Sequence, residues 1–292
     1  MHVSTSRQLL RLCVLAVLGC AAIYVLALGT NRGMHLDARA LPRGVTGPGW
    51  DRANAALRRA VETVHVATIA LAACLAALVA LRRRRGDLAM VAIATVAGAN
   101  LTTHLLKPLL AGADPFGGEE ARAVEASFPS GHATAAMSLA LVAVIAAPRR
   151  WRGWVALGAA AYAACVGVGL VLGVSHYPSD VAGGYLVATA WAAATAAIAV
   201  HRRESRELEP VAPSPPSPAF GVAAIAGLAL VIVGAGAVVA ILLHAPRAHL
   251  QHGLFAVAAV GIAVLALVLP VAVAALLARD RQAASLPGGS ER

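Results

Sequence analysis

Three short stretches of this chain carry residue types able to move a phosphoryl group: Lys107, then Pro129-Ser130-Gly131-His132, then His176-Tyr177-Pro178-Ser179-Asp180. Pro-Ser-Gly leading into a helix offers unpaired backbone N–H groups at the positive end of the helix dipole, and glycine lets an anion approach the backbone closely. Lys107 would add a compact positive charge to the same oxygens. His132 would protonate a leaving alkoxide, since imidazole titrates near neutral pH. Asp180, four residues after His176, would accept a hydrogen bond from one ring nitrogen and leave the other free to attack phosphorus, giving a phosphohistidine that water later cleaves.

Each group also has a plainer reading. His132 would serve as a helix-start residue bonded to a carbonyl; His176 and Asp180 would cap a helix whose first turn holds Pro178; Lys107 would snorkel to a membrane interface. What favours a specific role for Lys107 is that it is the only Lys among 24 basic residues, Arg being used at the other 23. His104, one turn earlier, reads as a polar helix contact, and Glu119, Glu120 and Glu125 as solvated loop residues. No paired carboxylates suit Mg²⁺ or Ca²⁺, so neither metal nor cofactor is expected.

The elements that position these groups must be membrane helices. The chain is 59% hydrophobic and 13% charged, with several apolar runs beyond the roughly 18 residues needed to cross a bilayer. A window of about 19 residues predicts spans over 9–29, 61–81, 88–111, 130–147, 153–175, 179–200, 219–244 and 253–278. They are too long and too uniformly apolar for barrel strands, and a spanning helix satisfies its own backbone. The fold class is therefore all-α, a polytopic bundle of six core helices followed by two more. The predicted division is a six-span core at 1–208, a Pro-rich linker at 209–218, a two-helix appendage at 219–279 and a tail at 280–292. Residues 30–60 read as a loop.

Arg blocks at 7–11, 82–85, 149–152, 202–206 and 279–281 fall on one face under an alternating count. That face is expected to be cytoplasmic, with both termini on it and the reactive groups on the outer side. Arg32, Arg39, Arg43, Arg52, Arg58 and Arg59 oppose this assignment. The formal charge of +10 is accounted for by these topological blocks, so no nucleic-acid partner is expected. Cys13, Cys20, Cys74 and Cys165 lie inside apolar runs without metal spacing and read as packing residues. The first apolar run continues past Cys20 to Leu28, which suits an uncleaved span rather than a signal peptide.

Lys107 with Pro115, Pro-Ser-Gly-His at 129–132, and His176 with Asp180 resemble, in order, the three signatures of the type-2 phosphatidic acid phosphatase superfamily, in its membrane-embedded branch: K-x6-R-P, P-S-G-H and S-R-x5-H-x3-D. The resemblance implies His176 as nucleophile, Asp180 as its orienting partner, His132 as general acid, and Lys107, Ser130 and Gly131 as phosphate ligands. Two positions depart from the pattern: Asp114 stands where the first signature has Arg, and Gly169-Leu170 where the third has Ser-Arg. Arg–phosphate pairs are bidentate and charge-assisted, with about 1.5–3 kcal/mol per hydrogen bond at stake; Arg122 or an Arg of residues 30–60 is the candidate replacement. The implied function is hydrolysis of a lipid phosphate or polyprenyl pyrophosphate, with a membrane lipid as partner. The alternatives are a catalytically impaired lipid-phosphate binder or transporter, and a phosphotransferase using the same site.

Overall fold

A computed structural model describes residues 4–42, 48–82, 85–110, 128–205 and 250–279. Among them there are helices and no strands. The elements are α1 (Thr5–Ile23, prolonged by a π-helical turn, Tyr24–Leu28), α2 (Asn31–Arg39), α3 (Pro48–Glu62), α4 (Val66–Arg82), α5 (Gly86–Leu110), α6 (Gly131–Ala146), α7 (Arg149–Leu172), α8 (Pro178–Glu204) and α9 (Leu250–Arg279). Five of these are long and apolar enough to cross a membrane, or six if the bent pair α3–α4 is one span. The protein is an all-α polytopic membrane bundle. The expected span 219–244, the linker at 209–218 and the tail at 280–292 lie outside the described residues.

α8 is the central helix. It packs against α1, α5, α6 and α9, and small residues permit that closeness: a Cβ at Gly184 would lie 2.7 Å from the Ser130 carbonyl oxygen. Buried hydroxyls tie the helices together where lipid offers no water. Thr95 meets Thr195 at 2.8 Å, Trp191 Nε1 donates to Thr102 Oγ1 at 2.9 Å, and the Tyr185 hydroxyl donates to the Ala163 carbonyl. Gly98 leaves room for the Trp191 ring, whose nearest atom would stand 2.5 Å from a Cβ there.

Three expectations need correction. Residues 30–60 are not a plain loop, because α2 and most of α3 fall inside them. Their amphipathic pattern hides them from a hydropathy window, yet Thr30 caps α2 by accepting from Gly33 N at 3.0 Å, the N-cap geometry that starts a helix. The span expected at 61–81 is interrupted: α3 and α4 meet at a 58° bend, where Thr68 Oγ1 accepts from His65 N at 3.0 Å and donates to the Thr63 and His65 carbonyls. Finally, α9 does not stand apart. Ile262, Ala266, Leu269, Val273 and Ala274 enter the same core cluster as α6, α7 and α8, because a helix this apolar buries one flank wherever a groove of small residues accepts it.

α6 is short for a span. Its 16 residues rise about 24 Å, below the roughly 30 Å of a hydrocarbon core. α2 docks on the start of α8, and α3 runs along α7, with Leu57 and Val61 against Gly169.

Candidate active site

Helix termini build the site. At the end of α7 the chain reverses in a Schellman turn: Val174 N donates to the Val171 carbonyl and Ser175 N to the Leu170 carbonyl, both at 3.0 Å. Val174 holds φ at 54°, a left-handed conformation that is strained for a β-branched residue. That turn places His176 immediately before α8, and His176 N reaches the Leu170 carbonyl at 3.3 Å. In the first turn of α8, Asp180 Oδ2 accepts from Tyr177 N at 3.0 Å and lies 3.3 Å from His176 Nδ1. The carboxylate is fully buried, and its other oxygen, Oδ1, has no hydrogen-bond partner within the described protein. A buried carboxylate at that position favours the tautomer in which Nδ1 donates, and so keeps the imidazole in one orientation.

The start of α6 is bonded directly to this turn. Ser130 N donates to the Asp180 carbonyl at 2.9 Å, a main-chain bond between two helix N-termini that Gly184 makes room for. Ser130 is fully buried, and its Oγ accepts from Ala133 N at 3.3 Å as the helix cap, so what it has left for a ligand is its hydroxyl proton. Thr134 Oγ1 donates to the Ser130 carbonyl at 2.8 Å and meets Thr103 of α5 at 3.0 Å, which links the α5 end carrying Lys107 to the same turn. Among the described residues a Cβ on Gly131 would meet nothing within 4 Å.

The two imidazoles are neighbours at this end of the bundle, with ring centroids of His132 and His176 6.5 Å apart at 55°. Lys107, His176 and a third imidazole, His65 at the α3–α4 bend, are all within electrostatic range of His132. All six expected site residues thus gather at one end of the bundle. Among the described residues no group of three or more His, Cys, Asp or Glu has a metal-binding arrangement.

Two nearby residues were not recognised from sequence. His65 has no motif around it, and its only signal is its place between a polar and an apolar helix. Asp37 of α2 accepts from Ser179 N at 3.2 Å and from Ser179 Oγ at 2.5 Å, clamping the α8 turn that carries Asp180 from a position 142 residues earlier. Burial pushes the Asp37 carboxyl up to about 6, the Ser179 hydrogen bonds opposing and the Asp180 charge adding to the rise.

The missing arginines have a structural counterpart at one signature. Leu170, at the Arg position of the third, is buried, and Gly169 before it is where α3 packs, Leu57 and Val61 lying 3.1 Å from a Cβ built there. Asp114, Pro115 and Arg122 lie outside the described residues. In α3, Arg52 Nε donates to its own Pro48 carbonyl and Arg58 pairs with Glu62 at 3.5 Å, interactions made within that helix.

Beside the cleft, α1, α5 and α8 enclose an apolar cavity of about 350 Å³ lined by residues including Val17, Tyr24, Leu106, Phe128, Leu186 and Trp191. Phe128 belongs to both places. It stands two residues before Ser130, packs over Gly183 and meets Tyr24 with ring centroids 5.6 Å apart.

Residues 88–204 match the family model of the PAP2 superfamily. This stretch holds all six expected site residues and nearly all of the helices α5 to α8 that carry them, and over it the chain is similar to that superfamily. No curated protein and no solved structure matches the chain. The match supports a phosphatase of this superfamily, a general phosphoester hydrolase.

Proposed function

We propose that the protein hydrolyses a phosphate monoester or pyrophosphate carried by a membrane lipid, through a phosphohistidine on His176. The observation that carries this reading is the pair of imidazoles 6.5 Å apart, one oriented by a buried carboxylate and the other at a helix N-terminus. Imidazoles that close can both reach one phosphoryl group bound between them, one as nucleophile and the other at the leaving oxygen.

His176 Nε2 attacks phosphorus as the bond from phosphorus to the leaving oxygen breaks. Asp180 holds the Nδ1 proton and stabilises the charge developing on the ring. His132 gives its proton to the leaving alkoxide or phosphate. Water, deprotonated by His132, then attacks the phosphohistidine, releasing inorganic phosphate and restoring both rings. Lys107, the N–H groups at Gly131 and His132, and the Ser130 hydroxyl bind the phosphoryl oxygens, so that charge is stabilised as it develops.

A lipid substrate is supported by the apolar cavity that shares Phe128 with the cleft, a place for an acyl or prenyl chain while the headgroup meets the histidines. The Arg blocks on the opposite end of the helices favour an outer-face site with cytoplasmic termini. The test is phosphate release by purified protein from lipid monophosphates and pyrophosphates, with alkaline quenching to trap base-stable phosphohistidine. Wild type should turn over and His176→Ala should not. Equal background rates in both would favour the second reading, a lipid-phosphate binder, for which the buried Leu170 at an arginine position is the specific motive.

A further inference from the structure

The first turn of α8 is capped from outside its own segment. Pro178 opens the helix and has no N–H, so the first main-chain donor inside the helix is Ser179 N. That donor goes to Asp37 Oδ1 of α2 at 3.2 Å, and the Ser179 hydroxyl goes to Asp37 Oδ2. A residue 142 positions earlier thus does what a short N-cap side chain does in many helices, and it does so with a carboxylate at the positive end of the helix dipole. Asp37 also lies outside residues 88–204, the stretch that matches the family model. We propose that Asp37 is a positioning residue for the reaction: by clamping Ser179 it sets the place of the Asp180 carboxylate and, through it, the orientation of His176. The proposal rests on His176 being the nucleophile.

Asp180 needs such help. Its contacts with Tyr177 N and His176 Nδ1 both use Oδ2, and among the described residues Oδ1 meets no hydrogen-bond partner. With one oxygen engaged, the placement of the carboxylate follows the backbone of its turn. Ser130 N of α6 ties that backbone at the Asp180 carbonyl, at 2.9 Å, and Asp37 ties it at the residue before. α2 is itself anchored at both ends. Thr30 donates to the Leu26 carbonyl at 2.7 Å, a Cβ at Gly33 would collide with that same oxygen, and Ala40 and Leu41 are buried just past the helix. Small shifts of the turn matter, because a misplacement of about 1 Å can cost about 10²-fold in rate.

The charge on Asp37 also fits positioning better than stability. Burial pushes its carboxyl up to about 6, so at neutral pH the ionised form takes stability from the fold and does not add to it. What the carboxylate supplies is a pair of acceptor oxygens for the two Ser179 donors, where an amide has one.

The test is steady-state phosphate release by the purified full chain carrying Asp37→Ala, Asp180→Asn or both. Asp37→Ala alone should lower kcat about 10²-fold with KM within about threefold. Added to Asp180→Asn, it should lower kcat by less than about threefold more, because the carboxylate it positions is already gone. Equal losses in the two backgrounds, or a loss confined to KM, overturn the proposal. A clamp serving the fold alone would lower the melting temperature and leave kcat per folded molecule unchanged. Should Asp37→Ala fail to fold, Asp37→Asn keeps the volume and one acceptor oxygen, and should show the same non-additivity at about a tenfold loss. Histidine nitrogen resonances of isotope-labelled protein at alkaline pH need no turnover. His176, assigned by its loss in His176→Ala, should carry its proton on Nδ1 in wild type and become a mixture of tautomers in the Asp37 variant. A tautomer unchanged by the variant sinks the proposal. A tautomer shift in a wild type that releases no phosphate would support the clamp and sink only the hydrolase reading.

Discussion

The two ends of α8 both gather positive charge, but with different residues in different settings. At the Pro178 end the groups are His65, Lys107, His132 and His176, with Asp37 and Asp180 nearby, and the backbone is held by a main-chain bond from Ser130 to Asp180 and by a strained turn at Val174. At the Glu204 end the groups are arginines, which do not titrate, and they are anchored on helix C-terminal carbonyls. Chemistry needs groups whose protonation can change and whose positions are set to within a fraction of an ångström. Anchoring and topology need only permanent charge. The protein uses the same helix to separate the two by about 35 Å.

If that contrast is right, changes at the Pro178 end should act on rate more than on folding. Asp180→Asn should have the largest effect, lowering kcat about 10³-fold or more, because the amide misorients the ring that must attack. Steady-state phosphate release checks this, with circular dichroism reporting an unchanged fold. An Asp180→Asn enzyme within tenfold of wild type would break the comparison.

Asp37 offers the next largest effect, and it is one of pH. Its folded value of about 6 stands above the 3.8 of a free carboxyl, so between these the folded state binds more protons than the unfolded. Stability should therefore be fully present below about pH 4, fall as pH rises through 6, and stay lower above it, by on the order of 2–3 kcal/mol. Asp37→Asn removes that titration. Thermal inactivation midpoints from pH 4 to 7.5 should decline for wild type and stay flat for the variant, relative to one another.

Gly184→Ala tests the contact that joins the two N-termini. The added methyl would stand 2.7 Å from the Ser130 carbonyl, a backbone atom, and 3.0 Å from Thr134 N, so α6 and α8 must separate. A destabilisation of about 1–3 kcal/mol is expected, with a loss of kcat measured below the variant's melting transition. Gly131→Ala sharpens the comparison, since among the described residues its Cβ meets nothing within 4 Å: stability should hold or rise by about 0.5–1 kcal/mol, while activity falls as the methyl enters the anion space. The smallest effect belongs to Val174→Gly. Relieving φ of 54° should stabilise the turn by up to about 1 kcal/mol, read as a higher melting temperature.

How much of this was legible beforehand follows from the range of each interaction. Hydropathy placed α5, α6, α7, α8 and α9 within a few residues, because apolar length is a local property. The order Lys107, Pro-Ser-Gly-His, His176 and Asp180 pointed to one end of the bundle, since alternating spans put the ends of odd helices beside the starts of even ones. The pair His176 and Asp180 was readable from its spacing of four. Asp37 was not, because nothing in Asn31–Arg39 announces that one carboxylate will reach Ser179, and α2 and α3 looked like loop because half of each helix is polar. The packing of α9 into the core was equally hidden: an apolar helix reports that it needs a partner, without saying which.

What the sequence determined by itself, then, is the membrane class, the helices and the set of reactive groups, all consequences of composition and short spacing. Only the tertiary structure decided that His132 and His176 stand 6.5 Å apart, that Ser130 is a buried cap as well as a ligand candidate, that α2 clamps the first turn of α8, and that α3 packs where the family pattern has its third-signature Ser. Those outcomes depend on contacts between residues up to 142 positions apart, and contact at that separation is set by how closely glycine and alanine let helices approach, a property of surfaces meeting and of no single segment.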